Sequence, residues 1–425
     1  MIIRVVTLGC KVNQCESASI VAALKTFNYN ASEGLEPADV YILNTCSVTS
    51  EADKKSRQYL TKMRKLNRNC NIIVIGCSAQ NNYEKFKQEN VVAIGGTLNK
   101  VNFAVKAVKN LCENDDYNTI SDIILYDNLL KSVEKQCEYC YEPYPKFDKT
   151  RAFIKIQDGC NRFCTYCIIP YLRGRSRSRS IDDIMIECDA ISSKEIVLTG
   201  IDMSYYGRDI GVTFGELLRA LGKYEARKRL GSLECEIIDD AMLEAMRQGN
   251  YCPHFHLSLQ SGCDEVLRSM NRRYSCDFYL DKVNLIRKYF VSASITTDII
   301  VGFPTETDKN FNETCDFVEK CGFSDIHVFP YSSRTGTLAS KKYRPLHADV
   351  VKNRVSRLLE LKANLRGKFL NDNIGTTASV YVEDRDGDYN VGYTPNYIKV
   401  YSTHPCGSIA DLRLTELFKD GVIGE

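Results

Sequence analysis

The chain has 425 residues, enough for two or three domains and a sizeable buried core. With 44% hydrophobic and 26% charged residues it is neither disordered nor fibrous, and a net charge of +2 leaves any nucleic-acid contact to local patches. No stretch approaches the roughly 18 apolar residues of a membrane span, and the opening MIIRVVTLGC has no basic region ahead of an apolar core, so a cytoplasmic protein without membrane contact is expected.

Residues 1–125 alternate between short apolar strands and helices. IIRVVTL (2–8), DVYILN (39–44) and NIIVIG (71–76) are predicted strands, while ESASIVAALKTF (16–27) and residues 51–68 have helical spacing. The pattern predicts an open parallel α/β domain. Residues 126–150 read as a linker. It carries Cys137-x-x-Cys140, for which a structural or incidental role is expected because no second pair follows at zinc-like spacing. Over residues 151–353 the predicted strands are AFIKIQ (152–157), EIVLTG (195–200), SLECEI (232–237), HFHLSLQ (254–260), SITTDIIVGF (294–303) and DIHVFPY (325–331). Six strand–helix repeats predict a partial (β/α)6 barrel, making the chain α/β in class. A connector helix is expected over 354–372, and the β-branched, Tyr-rich residues 373–425 predict a small antiparallel β domain.

Cysteine is the outlier, with nineteen in the chain. Cys188, Cys235, Cys315 and Cys321 read as small buried hydrophobes. Cys10, Cys46 and Cys77 differ, because each lies just beyond the carboxyl end of a predicted strand. In an open α/β sheet those ends share the edge where ligands bind, so the three favour a shared metal site. The strongest signal is QDGCNRFCTYCIIPYLRGRSRSR (157–179), where Cys160, Cys164 and Cys167 have the spacing CxxxCxxC. Three thiolates from one loop can hold three irons of a 4Fe–4S cube and leave the fourth open.

This spacing, with Tyr166 before the last cysteine, resembles the radical S-adenosylmethionine superfamily. TLGCKVNQCES, NTCSVTSEADKKSRQ, IGCSAQ, LTGIDMSYYG, HLSLQSG, DIIVGFPTET and PYSSRTGT extend the resemblance over nearly the whole chain, to the methylthiotransferase family. The chain departs from the family at GSLEC (231–235), where SSxEP is usual, and at PTET (304–307), where PGET is usual.

The resemblance implies an N-terminal three-cysteine domain, a radical barrel and a C-terminal TRAM domain. It implies two 4Fe–4S clusters, with Cys160, Cys164 and Cys167 binding S-adenosylmethionine through the open iron, and Cys10, Cys46 and Cys77 presenting the sulfur to be transferred. By superfamily analogy Glu234 binds the cofactor's amino group, Gln260 and Asp298 its ribose, and Gly200 lets the backbone approach it. The subtype most resembled implies C2 of N6-threonylcarbamoyladenosine at position 37 of tRNA as the target, with an external reductant and a sulfur donor. Isopentenyladenosine in tRNA and an aspartate of a ribosomal protein are the alternatives within the family. A plain electron carrier is disfavoured, since it needs neither an open iron nor a barrel.

Two patches are basic. Residues 54–68 carry Lys54, Lys55, Arg57, Lys62, Arg64, Lys65 and Arg68 with no acidic residue, a pattern that fits phosphate binding and simple solvation equally. Arg173, Arg175, Arg177 and Arg179 follow the CxxxCxxC loop, where so dense a run needs an anion nearby; tRNA, the cofactor carboxylate and acidic side chains all qualify, and tRNA contact is expected. Residues 366–425 hold six Lys or Arg against nine Asp or Glu, a net −3 that does not suit a domain expected to grip RNA.

Overall fold

The structure is a computed structural model that describes residues 1–113, 138–139 and 150–425. The Cys137–Cys140 pair and most of the predicted linker lie outside the described residues.

Five parallel strands form the first sheet: β1 (Ile2–Thr7), β2 (Asn30–Glu33), β3 (Val40–Thr45), β4 (Asn71–Gly76) and β5 (Val91–Ile94), in the order β2-β1-β3-β4-β5. Sequence patterning predicts β1, β3 and β4. It misses β2, whose NASE has one apolar residue, and β5, a run of only four residues. The chain order reverses between β1 and β3, and that switch point opens the ligand crevice of such sheets. Helices cover both faces. Ile20 and Leu24 pack on one side with Ile42 and Ile73, and Leu60 and Met63 on the other with Leu43 and Val74.

The second domain is built from β6 (Arg151–Asp158), β7 (Arg177–Ser178), β8 (Glu195–Gly200), β9 (Arg227–Leu230), β10 (Ser232–Leu233), β11 (His254–Leu257), β12 (Ser294–Val301) and β13 (Asp325–Pro330). They pair as β7-β6-β8-β9 and β10-β11-β12-β13, and only β7 runs antiparallel. β9 and β10 are one strand broken at Gly231, and a parallel bridge from Lys228 to Tyr251 continues the ladder between the two sheets. The six parallel positions make the expected open barrel. The strand predicted over 232–237 is corrected to 227–233. RKRL looks like a solvated charge run, yet all four of its residues are buried.

Alternation along these strands sorts the two faces. Ile154, Ile156, Ile196, Leu198, Leu230, Phe255, Leu257, Ile295 and Ile326 join one outer core with the surrounding helices. Their neighbours therefore face the lumen: Arg151, Lys155, Glu195, Arg227, Arg229, His254, His256, Asp298 and His327. A helix of the first domain, Lys11–Thr26, covers this polar interior. Its Cys15 Sγ lies 3.4 Å from the Phe153 carbonyl and its Glu16 pairs with Lys155 at 3.0 Å.

A long helix, Ala348–Asn371, leads to the last domain and starts before the predicted residue 354. There β14 (Thr377–Asp386), β15 (Tyr389–Tyr393), β16 (Lys399–Ser402), β17 (Ile409–Phe418) and β18 (Gly421–Gly424) close a barrel in the order β14-β15-β16-β18-β17. It is not wholly antiparallel as expected, because β16 and β18 run parallel. This barrel docks on the base of the larger one. Arg227 Nη2 donates to the Tyr393 carbonyl at 3.1 Å, Arg229 Nη1 to that of Pro395 at 3.0 Å, and Arg151 pairs with Glu383. Part of the acidic surplus of the C-terminal segment thus neutralises arginines of its neighbour.

Candidate cluster and cofactor site

The first triplet assembles at the switch point. Cys10 caps the helix that follows β1, Cys46 follows β3, and Cys77 opens the helix that follows β4. Their closeness shows at Gly9 (φ +106°), where a side chain would bring a Cβ within 2.7 Å of the Cys46 Sγ. Burial pushes the Cys46 thiol up to about 11, with Cys77 and Cys10 adding to the rise. Such thiols ionise readily only when a metal takes the charge. Cys10 is open to solvent at the sheet edge, and burial pushes its thiol up.

Arg173 lies beside this triplet. It is 1% exposed, its Nη1 donates to Glu16 at 2.9 Å and Asp158 at 3.0 Å, and its Nη2 donates to Asn13 at 2.8 Å. Its Nε has no acceptor. A buried guanidinium with one unused donor, next to thiols, fits an anionic cluster.

The second triplet lies on the loop after β6. Cys160 N donates to the Gly174 carbonyl at 3.0 Å and Cys167 N to that of Cys164 at 2.9 Å. Phe163 adopts φ +50°, unusual for a bulky residue, and Asn271 Nδ2 holds its carbonyl at 3.1 Å. Burial pushes the Cys167 thiol up to about 12, with Cys164 the next contributor and Cys77 of the first triplet a smaller one. Cys77 also packs with Ile168 and Leu172, so the two triplets face each other. Among the described residues, one group has three ligand atoms all within 4.8 Å of one another: His256, Asp298 and His327. Neither cysteine triplet is that tight, and each leaves more room than a single tetrahedral ion needs.

Of the expected cofactor residues, Tyr166 lies within the loop of the second triplet and Glu234 reaches it through Arg272. Glu234 forms an ion pair with Arg272, a residue that sequence reasoning missed. Arg272 is buried, its Nη1 lies 3.4 Å from the Cys164 Sγ, and its Nη2 donates to the Ser258 carbonyl at 3.0 Å. Burial pushes the Glu234 carboxyl up, and Arg272 and Arg162 pull it back. A carboxylate and a guanidinium side by side at a cluster loop match the amino and carboxylate ends of a zwitterion. Gln260, at φ +72°, donates its N–H to the Asp298 carbonyl at 2.8 Å, which sets the two residues together, and Asp298 accepts from His256 Nε2 at 3.2 Å. Gly200 ends β8, where a Cβ would lie 3.0 Å from Gln157 Oε1. Tyr166 packs edge-on against Phe303 at 6.5 Å between centroids.

The arginine run is corrected. Arg173, Arg177 and Arg179 are buried and spend their charge internally, Arg173 on Glu16 and Asp158, Arg177 on Asp158, and Arg179 on Glu187 and Asp183. The anion their density demanded is the protein's own. Arg175 alone of the four is exposed, and its guanidinium lies 4.6 Å from the Phe163 ring centroid. On the helix Ser50–Leu66 and just beyond it, Lys54, Lys55, Lys62, Lys65 and Arg68 are exposed. Cys188, Cys235, Cys315 and Cys321 are buried as expected.

A six-strand open barrel carrying CxxxCxxC, faced by three cysteines at the switch point of a parallel sheet, defines the class as a radical barrel with an appended three-cysteine domain. The profile of the Radical SAM superfamily matches residues 154–318, and that of the Uncharacterized protein family UPF0004 matches residues 3–95. A protein of Bacillus subtilis (strain 168) named threonylcarbamoyladenosine tRNA methylthiotransferase MtaB is 36% identical, over 93% of this chain and 88% of its own length. The protein of that name from Thermotoga maritima is 33% identical over 99% and 96%. A tRNA-2-methylthio-N(6)-dimethylallyladenosine synthase of Acetivibrio thermocellus is 34% identical over 89% and 79%. In fold, the chain is similar to the radical S-adenosylmethionine methyltransferase TsrM of Kitasatospora setae, solved with cobalamin and a [4Fe-4S] cluster, with a TM-score of 0.57 at 11% identity, covering 80% of this chain and 76% of that one. The chain belongs to the radical S-adenosylmethionine methylthiotransferase family, and it is an enzyme.

Proposed function

We propose that the chain adds a methylthio group to C2 of N6-threonylcarbamoyladenosine at position 37 of tRNA. The observation that carries this is the convergence of two cysteine triplets, from two domains, on one cleft. Carbon 2 of adenine is neither acidic nor electrophilic, so substitution there needs a radical together with a sulfur source held close by. Two 4Fe–4S clusters and S-adenosylmethionine supply that radical and the methylthio group when bound.

The chain's own residues do the holding. Cys160, Cys164 and Cys167 hold one cluster, and Cys10, Cys46 and Cys77 the other. Arg272 and Glu234 receive the carboxylate and amino group of the cofactor, Gln260 and Asp298 its ribose, and Gly200 and Tyr166 shape the walls. Arg173 ties the two cluster loops together through Glu16 and Asp158. An external reductant and a sulfur donor complete the reaction, and the cytoplasm, where tRNA lies, is the compartment this reading implies. Among the described residues no helix is long and apolar enough to cross a membrane.

Nucleoside mass spectrometry of tRNA from cells with and without the protein tests the reading. The 2-methylthio form of threonylcarbamoyladenosine is expected to vanish with it. Loss of the 2-methylthio form of isopentenyladenosine, or of methylthiolated ribosomal protein, would replace this target with one of the family's others.

RNA contact is expected at Arg175. Arg175→Gln should weaken tRNA binding and flatten the log–log salt dependence by about one unit, the effect of one lost phosphate contact. Arg177→Gln and Arg179→Gln should leave that slope alone; Arg179→Gln should lower the unfolding midpoint more, because it strands the buried Glu187 carboxylate, whereas Asp158 keeps Lys155 and Arg173 when Arg177 is changed. Filter binding across a salt series and thermal unfolding separate the two outcomes.

A further inference from the structure

The segment after the last barrel strand is tied to both cysteine loops. β13 ends at Pro330, and the motif PYSSRTGT runs on to residue 337. Arg334 is only 6% exposed, and it reaches across to the first domain. Its Nη2 donates to Ser47 Oγ at 2.7 Å and pairs with the equally buried Asp53. Ser47 is the residue after Cys46. Its hydroxyl also accepts from Asn81 Nδ2 at 3.3 Å, on the helix that Cys77 opens. Two residues before Arg334, Ser332 Oγ accepts from the Ser50 backbone N–H at 3.1 Å, where the helix Ser50–Leu66 begins. The turn from Cys46 to that helix is therefore held at both ends.

The far end of the segment holds the other loop. Thr337 Oγ1 donates to the Arg334 carbonyl at 2.7 Å and leads into the helix Leu338–Lys342. The Ala339 N–H donates to the Thr165 carbonyl at 2.8 Å, and Thr165 lies between Cys164 and Cys167. Gly336, at φ +97°, makes the turn between the two anchors, a conformation that disfavours a side chain. Residues 332–339 thus form a short strap with one anchor on each cysteine loop.

Stability does not explain the Arg334 anchor. A buried ion pair gains little over an apolar contact of similar volume once both charges have lost their water. Here Arg334 Nε and Asp53 Oδ1 are also buried without a hydrogen-bond partner among the described residues. What the anchor does fix is an arrangement, since it joins positions 287 residues apart.

We propose that Arg334 is a positioning residue for sulfur transfer: through Ser47 and Asp53 it sets the loop of Cys46 against the loop of Cys164 and Cys167. The inference rests on the function proposed above. Forming the radical requires only the second loop and the cofactor residues. Transfer requires the sulfur within reach of the target carbon, and a misplacement of about 1 Å can cost on the order of a hundredfold in rate. Loosening the strap separates two events that the wild type couples, so the radical still forms but less of it ends in product.

The test is Arg334→Gln in the cluster-loaded chain, with an anticodon stem-loop bearing threonylcarbamoyladenosine. Iron content and 5′-deoxyadenosine formation should stay within about twofold of wild type, while 5′-deoxyadenosine formed per methylthiolated nucleoside should rise on the order of ten- to a hundredfold. Arg334→Lys should restore part of the coupling, because an ammonium still pairs with Asp53 but lacks the planar fork of the guanidinium. Asp53→Asn should uncouple as well, and the double variant should be no worse than Arg334→Gln alone, because the two side chains act as one pair. Hydrogen exchange reads the same strap without turnover. The Ser50 amide should exchange faster in Arg334→Gln, and the Cys160 amide, bonded to the Gly174 carbonyl, should not change.

If Arg334→Gln lowers iron, 5′-deoxyadenosine and product in proportion and leaves their ratio unchanged, Arg334 is merely structural and the proposal is overturned. Should that variant fail to fold, Ser332→Ala removes only the contacts to Ser50, and an unchanged ratio there overturns it equally. A wild type that forms 5′-deoxyadenosine but leaves the stem-loop unmodified overturns the proposed function instead. Ser50 exchange then decides the strap by itself, and no change in Arg334→Gln removes it.

Discussion

Replacing Cys10, Cys46 and Cys77 together by Ala is expected to abolish the methylthiolated nucleoside while 5′-deoxyadenosine still forms under reductant. The structure places these residues on the first sheet and the CxxxCxxC loop on the second domain, so removing the first set leaves the second loop's backbone anchors intact. Bound iron should fall by about half, because one of two four-iron sites is lost. The reciprocal change, Cys160, Cys164 and Cys167 to Ala, should also halve the iron but remove both products. Iron analysis, chromatography of 5′-deoxyadenosine and nucleoside mass spectrometry read the three outcomes. Wild-type yield of product from the Cys10, Cys46, Cys77 variant would take these residues out of the sulfur site.

Glu16→Gln is expected to destabilise the chain by about 3–5 kcal/mol, the cost of removing one partner from a buried ionic cluster. Glu16 is fully buried and accepts from Lys100, from Lys155 at 3.0 Å and from Arg173 at 2.9 Å. The substitution leaves three buried cations short of their shared counter-charge at the seam between the two domains. Burial by itself raises a carboxyl's pKa, but Arg173, Lys100 and Lys155 outweigh it and hold Glu16 well below the carboxylate range. The folded pKa is therefore lower than the unfolded value of about 4.3, and the stabilisation is complete above that value. It is lost as pH falls below it towards the folded pKa. Denaturant midpoints of wild type and Glu16→Gln should differ by a constant amount above about pH 5 and converge in acid. A difference that does not change down to pH 2.5 would contradict the assignment.

Residue type and spacing revealed both cysteine triplets, because ligand chemistry is written directly in cysteine positions and strand ends are marked by apolar runs. Glu234, Gln260 and Asp298 are proposed cofactor residues on the strength of their motifs. Arg272, which lies 3.4 Å from the Cys164 Sγ, was not legible in this way. An arginine in MNRRYS looks like any surface charge, and only burial beside Glu234 sets it apart.

The run RGRSRSR shows the limit of charge counting. Sequence density predicts an anionic partner, and that holds, but the partner is internal for Arg173, Arg177 and Arg179. Glu16 lies 157 residues from Arg173, so no local window contains the pair. RKRL behaves the same way, reading as a solvated stretch until Glu195 and the C-terminal domain cover it.

The sequence by itself determined the α/β class, the three-domain order and the six cysteines, since hydrophobic periodicity and ligand spacing are local properties of the chain. Only the tertiary structure decided which charges stay exposed and which face one another. Charges act through space over distances set by folding, and a buried ion is defined by its neighbours rather than by its place in the chain.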